Sequence, residues 1–197
     1  MTIYIFGDSI VWGAFDFLGF GWARRIGSFL KKRFGIKTYV FGINGDDTQS
    51  LLNRFPADLK GASSYIVIFA IGINDSQIIG GKNRVLIEKF SENLDILVKK
   101  AKDFSDRIIF IGLTRVDEKK AEHVWWARER SYNNEVISKY DSTIEEVSKK
   151  NGVEYLRMND LFCANELLSD GVHPNSRGHK AIFFRVKKYL ESSMPLS

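Results

Sequence analysis

Ser9, Asp170 and His173 are residue types that together can transfer an acyl group. A serine hydroxyl becomes an effective nucleophile when a base removes its proton and later returns it to the leaving group. His173 is the candidate base. Asp170 stands three residues before it, so a turn can set the carboxylate against the imidazole, fix its tautomer and stabilise the imidazolium. The same chemistry needs preorganised donors for the charge that develops on a carbonyl oxygen. The backbone N–H groups of Ser9 and Gly45 and the side-chain amide of Asn74 suit that oxyanion hole. Glycine at position 45 lets backbone approach a substrate with no Cβ in the way.

Taken singly, each segment has a plainer reading. Gly7-Asp8-Ser9 is also an ordinary turn before a helix, Gly72-Ile73-Asn74-Asp75 a turn capped by its own polar side chains, and Asp170-Gly171 a turn dipeptide followed by a helix-starting Pro174. Their placement between elements sets them apart. Apolar runs predict strands over residues 3–6, 37–41, 65–71, 107–113 and 153–156. The run at 65–71 shows no alternation, as expected of a strand buried on both faces of a parallel sheet.

Between the strands lie helical stretches, at about 22–34 closed by Gly35, 85–102, 136–151 closed by Gly152, and 176–191, with a further helix start at Asp46-Asp47-Thr48. Phe90, Leu94, Leu97, Val98 and Ala101 form a clear stripe at helical spacing. Strands alternating with crossover helices predict a three-layer α/β/α sandwich on a five-stranded parallel sheet, as one domain spanning residues 1–197. In such a sheet ligands bind beyond the carboxyl ends of the strands. Each of the polar segments follows a strand, so all should converge on one crevice although Ser9 and Asp170 are 161 residues apart.

Gly7-Asp8-Ser9, Gly45, Gly72-Ile73-Asn74-Asp75 and Asp170-Gly171-Val172-His173 together resemble the four sequence blocks of the GDSL, or SGNH, hydrolase superfamily. Ser9, Gly45, Asn74 and His173 match the four residues that name it. The resemblance runs from residue 3 to about residue 190. It implies a flavodoxin-like sandwich, an esterase or lipase activity of lysophospholipase type, Asp170 as third member of the triad, and no cofactor. Ile10 stands where the family name has leucine, a conservative apolar change. In Gly42-Ile43-Asn44-Gly45-Asp46, Gly45 is matched to the oxyanion glycine because Asp46 follows it, as in the family's Gly-Asp-Thr pattern, and Gly42 is the alternative. Asp8 is read as a structural acceptor near the nucleophile turn.

Composition narrows the class. The 197 residues are 44% hydrophobic and 27% charged, which excludes intrinsic disorder; 16 Gly and only 3 Pro exclude collagen-like and low-complexity chains. Cys163 alone makes no internal disulfide, and His123, His173 and His179 have no metal-ligand spacing, so no metal site is expected. Cys163 is expected to be a small buried residue, and His179 a surface or packing residue. No apolar run reaches the ~18 residues of a membrane span. The N-terminal residues have no basic leader region, so with Met1 as the native start a cytoplasmic location is expected. A net charge of +5 spread over many lysines reads as a solvated surface, with no basic stripe to suggest nucleic acid.

Two segments are candidate walls for a small-molecule ester: Trp12, Phe15, Phe17, Phe20 and Trp22 after the nucleophile, and residues 114–130 with Arg115, His123, Trp125 and Trp126. Trp12, Trp125 and Trp126 are the named candidates for substrate contact, as parts of an aromatic acyl or aryl pocket. Sugar rings also stack on aromatics, so a carbohydrate acetylesterase fits as well. An O-acyltransferase would use the same triad with an alcohol in place of water. A flavodoxin-like binding module without catalysis would be expected to lack part of the triad or to carry a phosphate-cradling loop, and Trp12 brings bulk where such a loop needs small residues.

Overall fold

The computed structural model describes residues 2–17, 19–55, 65–161 and 164–193. Eight strands run in chain order: β1 (Thr2–Gly7), β2 (Lys37–Gly42), β3 (Tyr65–Ala70), β4 (Ile78–Ile79), β5 (Lys82–Asn83), β6 (Arg107–Ile111), β7 (Arg130–Ser131) and β8 (Glu154–Leu156). The helices are α1 (Ser9–Trp12), α2 (Gly21–Phe34), α3 (Thr48–Arg54), α4 (Ile87–Lys102), α5 (Glu118–Ala121), α6 (Asn134–Asn151) and α7 (Ser176–Ser193). Cys163 lies outside the described residues.

The main sheet is wholly parallel, in the order β2-β1-β3-β6-β8. Its five strands are those expected from the apolar runs, and the order is that of a flavodoxin-like doubly wound sheet. Alternate residues feed two cores. Ile3, Ile5, Ile66, Ile68 and Ile109 pack with Trp22, Ile26, Ile182 and Val186, which belong to α2 and α7. Tyr4, Phe6, Val67, Phe69 and Phe110 pack with Leu51, Phe90, Leu94 and Ile144 from α3, α4 and α6. In the central strands β1, β3 and β6, burial on both faces is the physical cause of the apolar runs.

Helix ends follow local chemistry. Gly35 and Gly152 close α2 and α6 in the left-handed conformation, and the Asn133 side chain accepts from the Glu135 and Val136 N–H groups to open α6. Asn175 does the same for α7, accepting from Arg177 and Gly178.

A second, three-stranded antiparallel sheet, in the order β5-β4-β7, was not expected from the sequence. Two-residue strands carry no alternation to detect. This small sheet ties the segment after β3 to the segment after β6, through Ile78 opposite Ser131 and Ile79 opposite Arg130. Among the described residues no helix is long and apolar enough to cross a membrane.

Candidate active site

Crossovers leave β1 and β3 on opposite sides of the sheet, so a crevice opens where these neighbours end. Chain leaving β1 turns at once into α1. Gly7 makes the turn possible, because a Cβ there would stand 2.2 Å from the Ala70 carbonyl oxygen. Asp8 caps the short helix, accepting the Ile10 N–H at 2.8 Å, and Ser9 is its first residue.

Ser9 Oγ lies 2.9 Å from His173 Nε2, and His173 Nδ1 lies 2.6 Å from Asp170 Oδ2. An ionised carboxylate only accepts, so Nδ1 carries the proton and Nε2 accepts from the serine hydroxyl. Asp170 Oδ1 takes the backbone N–H groups of Val172 and His173 at 2.9 and 3.0 Å. Burial alone would push the Asp170 carboxyl up; the bonds from His173 and from the two backbone N–H groups outweigh it and hold the group below its ordinary value. Oδ2 accepts a further bond, from Trp126 Nε1 at 3.2 Å. The imidazole meets the edges or faces of two rings, Phe15 at 5.3 Å and Trp126 at 6.2 Å between centroids.

Beyond β3, Asn74 Nδ2 donates to the Asp46 carbonyl at 2.9 Å, while its Oδ1 accepts from the Tyr132 hydroxyl at 3.4 Å. Tyr132 in turn accepts from Gln77 Nε2 at 2.6 Å. Both ends of the Asn74 amide are therefore assigned, and its second N–H is left for the crevice. Gly45 sits at φ +81° with no atom within 4 Å of where a Cβ would be. The Gly45 carbonyl is held by Arg84 at 2.9 Å, and Arg84 also pairs with Asp47. Gly42 serves packing instead. A Cβ there would stand 2.3 Å from the Trp12 nitrogen, so this glycine lets α1 lie against β2.

Carboxyls that support the loops are buried. Asp75 accepts the Thr48 N–H and hydroxyl, joining the loop after β3 to the start of α3. Burial raises both Asp75 and Asp8 to about 7. Arg54 pairs with Asp46 at 2.8 Å and donates to the Phe41 and Gly7 carbonyls, which fixes the loop after β2 on the end of β1.

These groups surround one cleft of about 270 Å³, whose lining includes Ser9, Gly45, Asn74 and His173, with Phe15 and Trp126 as aromatic walls and Asn44 and Arg130 beside them. The structure brings Trp126 to the cleft and leaves Trp12 and Trp125 out of its lining. Trp12 is 44% exposed, with the Arg24 guanidinium of α2 5.9 Å from its ring. Trp125 is 62% exposed, and its neighbour Trp126 takes the inward position.

Of the other expected wall residues, Trp22 is fully buried in the α2 core, and Phe17 and Phe20 face solvent. His179 is also fully buried, and burial lowers its pKa to about 4. Arg130 closes the 114–130 segment expected as a wall, whereas Tyr132 and Gln77 carry no signal in the sequence. No motif links Tyr132 to Asn74, and only the pairing of β7 with β4 brings them together.

Residues 5–181 match the model of the GDSL-like lipase/acylhydrolase family, and the chain belongs to that family. It is a carboxylic ester hydrolase. The chain is similar to the isoamyl acetate-hydrolyzing esterase of Saccharomyces cerevisiae, 26% identical over 97% of this chain and 86% of that one. It shares its fold with LAE5, an α/β hydrolase enzyme from the metagenome of Lake Arreo, at a TM-score of 0.75 and 20% identity over 100% and 96% of the two chains. It also resembles Axe2, an acetylxylan esterase of Geobacillus stearothermophilus, at a TM-score of 0.74 and 18% identity over 95% and 92%. Structures of Axe2 include catalytic mutants in which a serine, an aspartate and a histidine are each replaced by alanine.

Proposed function

We propose that this enzyme hydrolyses short-chain carboxylic esters, acetates above all, through an acyl-enzyme on Ser9. His173 Nε2 takes the Ser9 proton as Oγ attacks the ester carbonyl. Asp170 holds the imidazole and stabilises the imidazolium. The Ser9 and Gly45 N–H groups and Asn74 Nδ2 receive the oxyanion. Collapse expels the alcohol with the proton from His173. Water then attacks the acyl-enzyme with His173 as base, releasing the carboxylic acid and restoring Ser9.

The observation that carries this reading is the unbroken chain Ser9 Oγ–His173–Asp170, at 2.9 and 2.6 Å, opening on a cleft that Gly45 and Asn74 also line. The preference for a small acyl group rests on the modest cleft and on a relative named for hydrolysing isoamyl acetate; a structural neighbour named as an acetylxylan esterase shares the fold. Phe15 and Trp126 offer apolar faces to either an alkyl alcohol or a sugar leaving group.

A series of p-nitrophenyl esters of increasing chain length, run on wild type and Ser9→Ala, tests both parts. Turnover highest on acetate and lost in the variant supports the reading. A maximum at long chains overturns the acyl preference, and equal turnover in the two proteins removes Ser9.

A further inference from the structure

The charge of this chain is not evenly spread. Helices α2 and α7, which cover one face of the main sheet, hold ten basic residues and a single acidic one, Glu191, a net of +9 against +5 for the whole chain. The helices on the other face, α3, α4 and α6, hold eight basic and seven acidic residues, a net of +1. Arg25 pairs with Asp16, Arg185 with Asp160 and Lys187 with Glu191, so seven of the ten, Lys31, Lys32 and Lys180 among them, give this face its basic character.

Exposed aromatic side chains border that face. Phe17 is 84% and Phe20 62% exposed, both in the loop between α1 and α2, and Phe184 on α7 is 51% exposed with Lys180 over its ring. The loop is tied from within. Buried Asp16 accepts the Gly21 N–H at 3.1 Å and pairs with Arg25 at 2.7 Å, its carbonyl accepts the Phe20 N–H, and Gly13 and Gly21 close the neck in backbone contact. Phe20 is held at φ +55°, a left-handed conformation that a bulky residue adopts only under constraint from its surroundings. The polar groups of the loop are thus spent inward and its rings are turned outward. Ala14 and Phe15 of the same loop line the cleft.

We infer that the α2–α7 face, with Phe17 and Phe20 at its edge, is a reversible docking surface for an anionic phospholipid bilayer. Basic residues meet the negative surface potential of the lipid, and exposed aromatic rings settle at headgroup level. Duplex nucleic acid would complement the charge but offers the two phenylalanines no apolar layer. Docking on this face would set the cleft mouth beside the membrane.

Flotation with vesicles tests the inference, using pure phosphatidylcholine and a phosphatidylcholine–phosphatidylserine mixture at low and high salt. The wild type should float with the anionic vesicles at low salt, stay behind with neutral ones, and be released by salt. Lys31→Gln/Lys32→Gln/Lys180→Gln should lower partitioning about 100-fold, at about fivefold per charge, and leave turnover of a soluble ester unchanged. Phe17→Ser should weaken binding without altering its salt dependence. No partitioning at low salt, or full partitioning by the triple variant, overturns the inference. Tighter binding to duplex DNA than to anionic vesicles through the same lysines overturns the assignment to lipid. Binding is read without turnover, so its outcome is separate from that of the proposed reaction.

Discussion

Trp126 Nε1 donates to Asp170 Oδ2 at 3.2 Å, the same carboxylate oxygen that lies 2.6 Å from His173 Nδ1. A residue expected only as a cleft wall is thereby joined to the acid–base pair. Its N–H draws charge from the carboxylate, and its ring stands against the imidazole. Trp126→Phe keeps a wall and deletes the donor. With kcat/KM followed against pH, the acid limb should move to higher pH, because a carboxylate relieved of a donor stabilises the imidazolium more strongly. The plateau should fall by about 2- to 10-fold, the value of one hydrogen bond. A raised KM with an unmoved limb would leave Trp126 a role in substrate contact alone.

Ser9→Ala should retain the wild-type melting temperature, since the serine hydroxyl bonds to the histidine and the cap of α1 belongs to Asp8. With Ser9 as the proposed nucleophile, turnover of p-nitrophenyl acetate should fall by about 10³-fold or more. Circular dichroism beside the rate measurement separates lost chemistry from lost fold.

Asn74 and Tyr132 should differ in degree. Asn74→Ala removes the side-chain donor proposed for the oxyanion and should lower kcat by about 10²–10³-fold. Tyr132→Phe removes only the hydroxyl that steadies the Asn74 carbonyl, so kcat should fall by about 10-fold or less with KM little changed. Equal losses in the two variants would mean that Tyr132 does more than orient the amide.

What could be read from the sequence follows from how locally each feature is determined. The central strands β1, β3 and β6 declare themselves because both their faces are buried, the edge strands β2 and β8 only as short apolar runs between turn residues, and α4 and α6 because one face is apolar. Ser9 and Asn74 sit in short segments just after β1 and β3, and Asp170 and His173 in the turn before α7, where local turn chemistry and the topology of a parallel sheet both point to one crevice. The β5-β4-β7 sheet is too short to leave a pattern, so the Gln77–Tyr132–Asn74 relay built on it was invisible. The aromatic residues misled for another reason. Trp12, Phe17, Phe20 and Trp22 look alike in sequence, yet α1, the loop and α2 turn them toward a guanidinium, solvent or the core. The charge asymmetry needs the packing of α2 on α7, two helices at opposite ends of the chain.

Asp8 should make stability fall as pH rises. Burial lifts its carboxyl from 3.8 to about 7, so the folded chain keeps this proton up to near pH 7 while the unfolded chain releases it near pH 4. Across that window the native state binds more protons, and stability declines with increasing pH, by an upper bound of about 4 kcal/mol from this group. Asn in its place still caps α1 and has no proton to lose. Asp8→Asn should therefore match the wild type in urea unfolding at pH 4.5, within about 1 kcal/mol, and exceed it at pH 8. His179, lowered to about 4 by burial, acts in the opposite sense, costing stability as pH falls from about 6.5. That contribution is common to both proteins and cancels in the difference between them. A difference that stays constant with pH would show that the Asp8 carboxyl ionises alike in the folded and unfolded chain.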